Sequence, residues 1–463
     1  MRPLETLLLI TLLPTIVMAF LPMKPPKWIA ALPLGAVLIL ILHLIFESGR
    51  WQMFPAYLLT AVFAIVASRT LFSKERPFTK RWGIAIPLGI LGLLVWIIGL
   101  SLPIALPVPN LTSITGTYEV GTTILHLEDE ARPETYTPDP NDNRELVAQV
   151  WYPTTDTSNV NRAVYLPFLD IIGPVVAEQF GLPAFLLNHI NITQIDIYDE
   201  PEVAQTDAPF PVIIFSHGLG GLRTQNTSMF QELASHGYVV GSVDHVYANA
   251  ITVYPDGRVV LYDESIVFPT EEPRHVQANE LINVWAADIA FLLDEMTDWH
   301  ESEGLFNGRL DTANVGVFGH STGGGTTVEF CLIDTRCTAG IGLDSWVLPV
   351  TESLLTDGPT QPFMFISTPI WLGEENQARG LEIYNRLSND GYNLAVSDTG
   401  HYDFTDLVML SPLTPQLGLS GTIDSHYSIG IQNEYIVAFF DQYLKGVDRS
   451  DVLERPSPYP ELT

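Results

Sequence analysis

The residues best able to do chemistry are Gly319-His320-Ser321-Thr322-Gly323, a G-x-S-x-G frame directly after the apolar run 315–318. That run reads as a short buried strand, and helix formers follow Gly324 and Gly325, so the serine falls on a tight strand-to-helix turn. Such a turn exposes the serine and crowds the positions two before and two after it, where only glycine fits. A serine hydroxyl is a poor nucleophile at neutral pH and needs a base within hydrogen-bond reach, itself oriented by an acid. With the nucleophile on this kind of turn, the chain order is serine, acid, histidine. Only His401 and His426 lie downstream. His401, in SDTGHYDF, follows an apolar strand at a sheet edge, where active-site loops belong; His426, just before the last helix, is the weaker base. Asp344 stands at the tip of the strand TAGIGLD and is the best-placed acid, with Asp334 and Asp398 as alternatives.

A tetrahedral intermediate also needs backbone N–H donors. One is the amide of Thr322, the residue after the nucleophile, and the other comes from a loop after an earlier strand. SHGLGG, at 216–221, follows the strand PVIIF and is rich enough in glycine for close approach, which points to the Leu219 amide. His217 precedes the serine in the chain and reads as a residue that shapes this loop rather than as the base.

The elements that position these groups alternate regularly from residue 211 onward. Strands PVIIFSH, GYVVGSVD, ANVGVFGH, TAGIGLD, PFMFIST and NLAVSD are interleaved with helices near 226–236, 274–297, after Ser321 and at 431–445. Nearly apolar strands alternating with amphipathic helices imply a mostly parallel sheet covered on both faces. Upstream, TGTYEVGTTILHL and ELVAQVWY read as strands, and DPNDN at 139–143 as a turn. Residues 160–205, rich in Leu, Ile, Phe and Pro, form an insertion that is either plain core or a lid with an apolar face for a lipid-like substrate.

Residues 1–108 are of another kind. They contain apolar stretches at about 4–22, 28–46, 54–72 and 83–106, the second and fourth long enough to cross a hydrocarbon core. Nine Lys/Arg against three acids lie in this region. Residues 109–463 carry a formal charge of about −37, which argues against nucleic acid or an anionic bilayer surface as their partner. Lys24, Lys27, Arg69, Lys74, Arg76, Lys80 and Arg81 cluster in the connections 23–27 and 69–82, which should face the cytoplasm. Four crossings then place the segment after 108 outside, where Cys331 and Cys337, six positions apart, could pair. His43, inside the second stretch, is the one polar group there that could mark a site.

SHGLGGLRTQ, ASHGYVVGSVDH, VFGHSTGGGT and GIGLDSWVLP, in this order, closely resemble the platelet-activating factor acetylhydrolase family, serine-dependent phospholipases A2 of the plasma and intracellular type II group. The resemblance covers roughly 115–445. It implies an α/β-hydrolase fold, here preceded by a bundle of about four transmembrane helices. Carried over residue by residue, it implies a triad of Ser321, Asp344 and His401, oxyanion donors at Leu219 and Thr322, and a reaction without metal or cofactor. The expected organisation is a transmembrane region, 1–108, and a catalytic domain, 109–463, acting on a lipid or small ester substrate. The animal enzymes of the family lack the membrane region and the 160–205 insertion is only loosely similar to them, which leaves general carboxylesterase, lipase or polyester hydrolase activity, or an inactive membrane sensor or scaffold, as alternative expectations.

Overall fold

A computed structural model describes residues 1–463 except 22–25, 73–81, 357, 370, 372 and 455. The expected cytoplasmic connections at 23–27 and 69–82 fall largely outside the described residues. The chain divides into two compact units. One is Met1–Pro109 with the short pieces Asn188–Thr193 and Leu410–Leu413; the other is the remainder.

The first unit holds four helices, α1 (Pro3–Phe20), α2 (Lys27–Phe46), α3 (Phe54–Phe72) and α4 (Trp82–Ala105). Leu8, Leu12, Ile16, Ala36, Met53 and Ala56 are buried between them, while Leu38, Ile45, Leu58, Ile65 and Leu94 face outward. Three spans, Trp28–Phe46, Trp51–Arg69 and Ala85–Ala105, are long and apolar enough to cross a membrane; α1 contributes a shorter apolar helix. Polar groups in this unit face inward. Glu5 pairs with Arg50 at 2.7 Å, and His43 bridges Glu47 at 3.0 Å and Tyr57 at 2.7 Å. Apolar outside and polar inside is the arrangement suited to hydrocarbon surroundings.

The second unit is built on a nine-stranded sheet. Its strands are β1 (Glu119–Pro133), β2 (Asn143–Thr154), β3 (Ile197–Asp199), β4 (Phe210–Ser216), β5 (Val239–Asp244), β8 (Leu310–His320), β9 (Cys337–Leu343), β10 (Phe363–Ser367) and β11 (Gly391–Ala395). A separate hairpin, β6 (Ile251–Val253) and β7 (Val259–Leu261), lies between β5 and β8 in the chain. The sheet order is β11-β10-β9-β8-β4-β5-β2-β1-β3, parallel throughout except where β2 runs against β1 and β5. This is the α/β-hydrolase arrangement. β4 and β8 lie side by side at its centre, so the loops leaving their C-terminal ends, 216–221 and 320–322, emerge next to one another.

The helices are α5 (Leu169–Gln179), α6 (Thr227–Ser235), α7 (Glu264–Val267), α8 (Arg274–Glu301), α9 (Thr322–Ile333), α10 (Gly373–Asn385), α11 (Ser425–Leu444) and α12 (Ser450–Leu453). Val212, Ile214, Val315, Val317, Ile289 and Leu292 typify the main core between sheet and helices. The last helix begins six residues earlier than its apolar pattern suggests, because Asp424 caps it by accepting from the Tyr427 N–H. His426 therefore lies inside α11 rather than before it. The insertion at 160–205 packs Ile172, Val175 and Val176 against Ala250, Ile251, Val253 and Leu222. In the acidic turn, Asp139 accepts from the Asn141 backbone at 3.0 Å. Cys331 and Cys337 are bonded, joining the end of α9 to the start of β9.

Candidate active site

Ser321 sits between β8 and α9 with φ 57° and ψ −118°, a backbone state that L-residues rarely adopt. A side chain at Gly319 would overlap the Gly323 carbonyl, and one at Gly323 the carbonyls of Ser216 and His217. Those glycines are what permit the turn. The Ser321 N–H donates to Leu343 O at 2.9 Å, and its carbonyl accepts from the Trp346 N–H at 2.8 Å. The strained turn is thus strapped to the end of β9, the strand that delivers Asp344. Ser321 is 9% exposed.

Asp344 is fully buried. One carboxylate oxygen accepts from the Thr368 N–H at 2.9 Å and its hydroxyl at 3.1 Å; the other meets His401 Nδ1 at 2.6 Å. Burial pushes Asp344 up to about 6, opposed by the Thr368 donors, and pushes the His401 ring down to about 3. At pH 7 the pair is a carboxylate and a neutral imidazole whose Nδ1–H is spent on Asp344. Nε2 is left to accept a proton. No hydrogen bond joins Ser321 Oγ to this ring among the described residues. Such bonds commonly tighten only when substrate is bound.

His401 lies in a short turn, His401–Phe404, after β11. Its ring is held between two others: Trp371 stacks on it with centroids 3.4 Å apart, and His320 tilts against it at 4.4 Å. The His320 Nε2–H donates to His401 O at 3.1 Å, and its Nδ1 accepts from Gln225 at 3.0 Å. Burial pushes the His320 ring down to about 3, consistent with its accepting there. Thr368, Trp371, His320 and Gln225 escaped the sequence reading. Only His320, adjacent to the serine in the motif, carried a signal.

Gly218 lies against the nucleophile, since a Cβ built on it would stand 3.2 Å from Ser321 Cβ. In the same loop Gly220 N donates to Ala248 O at 2.8 Å and Gly221 N to Gly218 O at 2.8 Å. The N–H groups of Leu219 and Thr322 donate to no acceptor among the described residues. Unspent backbone N–H groups are what an oxyanion requires. His217 is buried, with Nδ1 on Gly218 O at 2.7 Å and Nε2 accepting from the His245 N–H at 3.1 Å. It is not free to serve as a base.

The alternatives lie elsewhere. His426 is exposed and contacts Asn110 O at 2.8 Å, and Asp334 pairs with Arg336 at 2.6 Å. Asp398 turns the chain at φ 59° without meeting a histidine ring among the described residues. A small cleft borders Asp344, Ser345, Thr368, Trp371 and Asn376. Ser321 and Leu219 do not line it, so it is not where an acyl group would sit. Glu5, His43 and Glu47 converge closely enough to bind a cation, but Arg50 and Arg2 already neutralise the two carboxylates.

The sequence model described as platelet-activating factor acetylhydrolase, isoform II, matches residues 107–267 and 282–454. The platelet-activating factor acetylhydrolase of Cavia porcellus is 27% identical over 334 residues, 66% of this chain and 74% of that protein. For the Canis lupus familiaris protein of the same name the figures are 27% over 274 residues, 54% and 61%, so the chain spans about three-fifths of that relative. A solved ferulic acid esterase from Streptomyces cinnamoneus matches with a TM-score of 0.62 at 25% identity, over 77% of this chain and 99% of that one.

Proposed function

The chain belongs to the platelet-activating factor acetylhydrolase, isoform II, family of carboxylic-ester hydrolases, and we propose that it is a membrane-tethered serine esterase acting on short acyl esters of phospholipid-like substrates. Ser321 Oγ attacks the ester carbonyl while His401 Nε2 takes its proton. Asp344 keeps the imidazole in the Nδ1–H tautomer and stabilises the imidazolium as it forms. The Leu219 and Thr322 amides receive the oxyanion. Collapse breaks the ester bond, His401 protonates the departing alkoxide, and a water activated by the same histidine releases the acid from the acyl-enzyme.

The observation that carries this reading is the 2.6 Å contact of His401 Nδ1 with Asp344 beside a strained serine. The experiment is hydrolysis of p-nitrophenyl esters, acetate through palmitate, by the protein and its Ser321→Ala variant. A preference for acetate to butyrate that vanishes in the variant supports the proposal; full turnover by the variant removes Ser321 from it. A flat or long-chain profile transfers the assignment to a general carboxylesterase. The likeness to a ferulic acid esterase over nearly that enzyme's full length favours this second reading.

Tethering is supported by the three apolar spans. If α2 and α3 both cross, the connections at 23–27 and 69–82 share a side whether or not α1 crosses, and α4 carries the hydrolase to the other. The basic residues assign the first side to the cytoplasm. A bonded Cys331–Cys337 pair suits the oxidising side.

A further inference from the structure

A second Ser–His–Asp set lies beneath the 216–221 loop. Ser216, His245 and Asp288 are all fully buried. Ser216 Oγ meets His245 Nε2 at 2.9 Å, and His245 Nδ1 meets Asp288 at 2.9 Å. Burial closes this set to substrate, so it is not a second catalytic centre. Its surroundings say what it does. Asp288, from α8, also receives Arg144 from β2 at 2.8 and 3.1 Å and Arg132 at 2.7 Å, while Glu134 pairs with Arg144 at 2.9 Å. Arg144 lies between Asp288 and Glu134 and Arg132 between Asp288 and Asp129, so Asp288 already faces two cations; burial keeps His245 neutral, with Nδ1–H on Asp288 and Nε2 accepting the Ser216 hydroxyl. The indole of Trp285 stacks flat on the ring at 4.2 Å.

The relay continues through the backbone. The His245 N–H donates to His217 Nε2, which commits the His217 proton to Nδ1, and that proton is donated to Gly218 O. Gly218 O accepts from the Gly221 N–H as well. A trans peptide points its C=O and N–H in opposite directions. Pinning the Gly218 carbonyl therefore sets the direction of the Leu219 N–H in the same peptide plane. Arg223 N on Asp244 at 2.8 Å and Ala250 N on Gly221 O at 2.9 Å stitch the rest of the loop to 244–250. These bonds spend the Gly220 and Gly221 N–H groups and leave the Leu219 N–H without an acceptor among the described residues.

We infer that the buried Asp288–His245 pair, acting through Ser216 and His217, positions the Leu219 amide for the transition state, and that His245 is a positioning residue for the esterase reaction. The inference rests on the reading of Leu219 as an oxyanion donor. A group acting this way is felt when negative charge develops and not when the ester first binds. Losing one oxyanion donor outright costs about 10²–10³ in kcat, and misdirecting it costs less.

The test uses the full chain in detergent. Variants His245→Asn, which retains a donor toward Asp288, Ser216→Ala and their combination are compared for kcat and KM on p-nitrophenyl acetate and for Ki of a trifluoromethyl ketone, whose adduct carries the oxyanion. We expect His245→Asn to lower kcat by about 30-fold with KM within about twofold, and to raise Ki by the matching factor. Ser216→Ala should shift kcat and Ki together by about fivefold, and the double variant should be no worse than His245→Asn, because the two act as a unit. Unchanged kcat in folded His245→Asn, unchanged Ki, or additive losses would overturn the inference. Should His245→Asn not fold by circular dichroism, Ser216→Ala decides alone: a matched loss supports the relay, an unchanged Ki overturns it. Ser321→Ala separates the two readings. Retained turnover there removes the nucleophile and the oxyanion site together, whereas lost turnover there beside an unaffected His245→Asn overturns only the positioning role.

Discussion

Two serine–histidine–aspartate sets lie in one compact unit, and they differ in burial, charge balance and backbone. In the first, His401 and Asp344 stand 2.6 Å apart beside Ser321, whose backbone is strained and whose side chain makes no hydrogen bond among the described residues. In the second, Ser216 lies within the regular strand β4 and its hydroxyl is consumed by His245. Asp344 has no arginine partner among the described residues, so a positive charge arising on His401 is the charge it can stabilise. Asp288 is already faced by Arg144 and Arg132, so its charge is committed before any proton reaches His245. Residue types alone do not make a nucleophile. A free hydroxyl and a carboxylate whose charge is reserved for the reaction do.

The sharpest way to break this comparison is to remove each serine. Ser321→Ala should cut kcat by about 10⁴-fold or more and abolish labelling by a fluorophosphonate, whereas Ser216→Ala should label fully. Labelling that survives in Ser321→Ala would place the nucleophile elsewhere. The acids should diverge next. Asp344→Asn should lower kcat by about 10⁴ with the protein still folded, because it reverses the tautomer His401 needs. Asp288→Asn should register first as stability, about 3–5 kcal/mol in denaturant unfolding, because it removes the fully buried carboxylate that Arg144 and His245 share.

Acid sharpens the contrast less severely. Burial holds His401 below its ordinary 6.5, so the neutral base persists as pH falls. The acid limb of kcat/KM should have its midpoint below 6.5 and drop about tenfold per pH unit beneath it. A midpoint above 6.5 would mean the carboxylate's charge outweighs burial. His217 and His245 are likewise held low by burial. Below 6.5 each of these rings binds its proton more readily in the unfolded chain, a contribution that lowers Tm as pH falls. Asp344 and Asp406, raised by burial to about 6 and about 7, contribute with the opposite sign, so His245→Asn should flatten the loss of Tm on the acid side. The smallest effect belongs to the bond that ties α9 to β9 and so links the serine's helix to the aspartate's strand. Converting Cys331 and Cys337 to serine should cost about 2 kcal/mol from so short a loop and leave kcat within twofold. A collapse of kcat would show that this tie holds Ser321 and Asp344 in register.

The alternation of strands with helices and the serine turn could be read in advance, because each depends on local signals. Gly319 and Gly323 are demanded by the turn itself, and the apolar runs of β4, β5, β8, β9 and β10 announce buried parallel strands within about three residues. The β6–β7 hairpin and α10 were missed. β6 and β7 are three residues each, too short for a period to register, and α10 opens with three charged or polar residues and buries only Asn376 and Ile383. The insertion at 160–205 could not be divided between core and lid, since its apolar residues are satisfied by β6 and Leu222, partners distant in the chain.

The sequence by itself determined the alternation of strand and helix, the glycines that let Ser321 stand on a strained turn, and the division between an apolar N-terminal region and an acidic remainder, because backbone sterics and hydrophobic period act over a few residues. Only the tertiary structure decided that Trp371 stacks on His401, that His426 points to Asn110, and that Arg144, Asp288, His245 and His217 join beneath the Leu219 amide. Those contacts join residues up to about 300 positions apart, and a buried charge or lone pair takes whichever partner the packed sheet and helices bring to it.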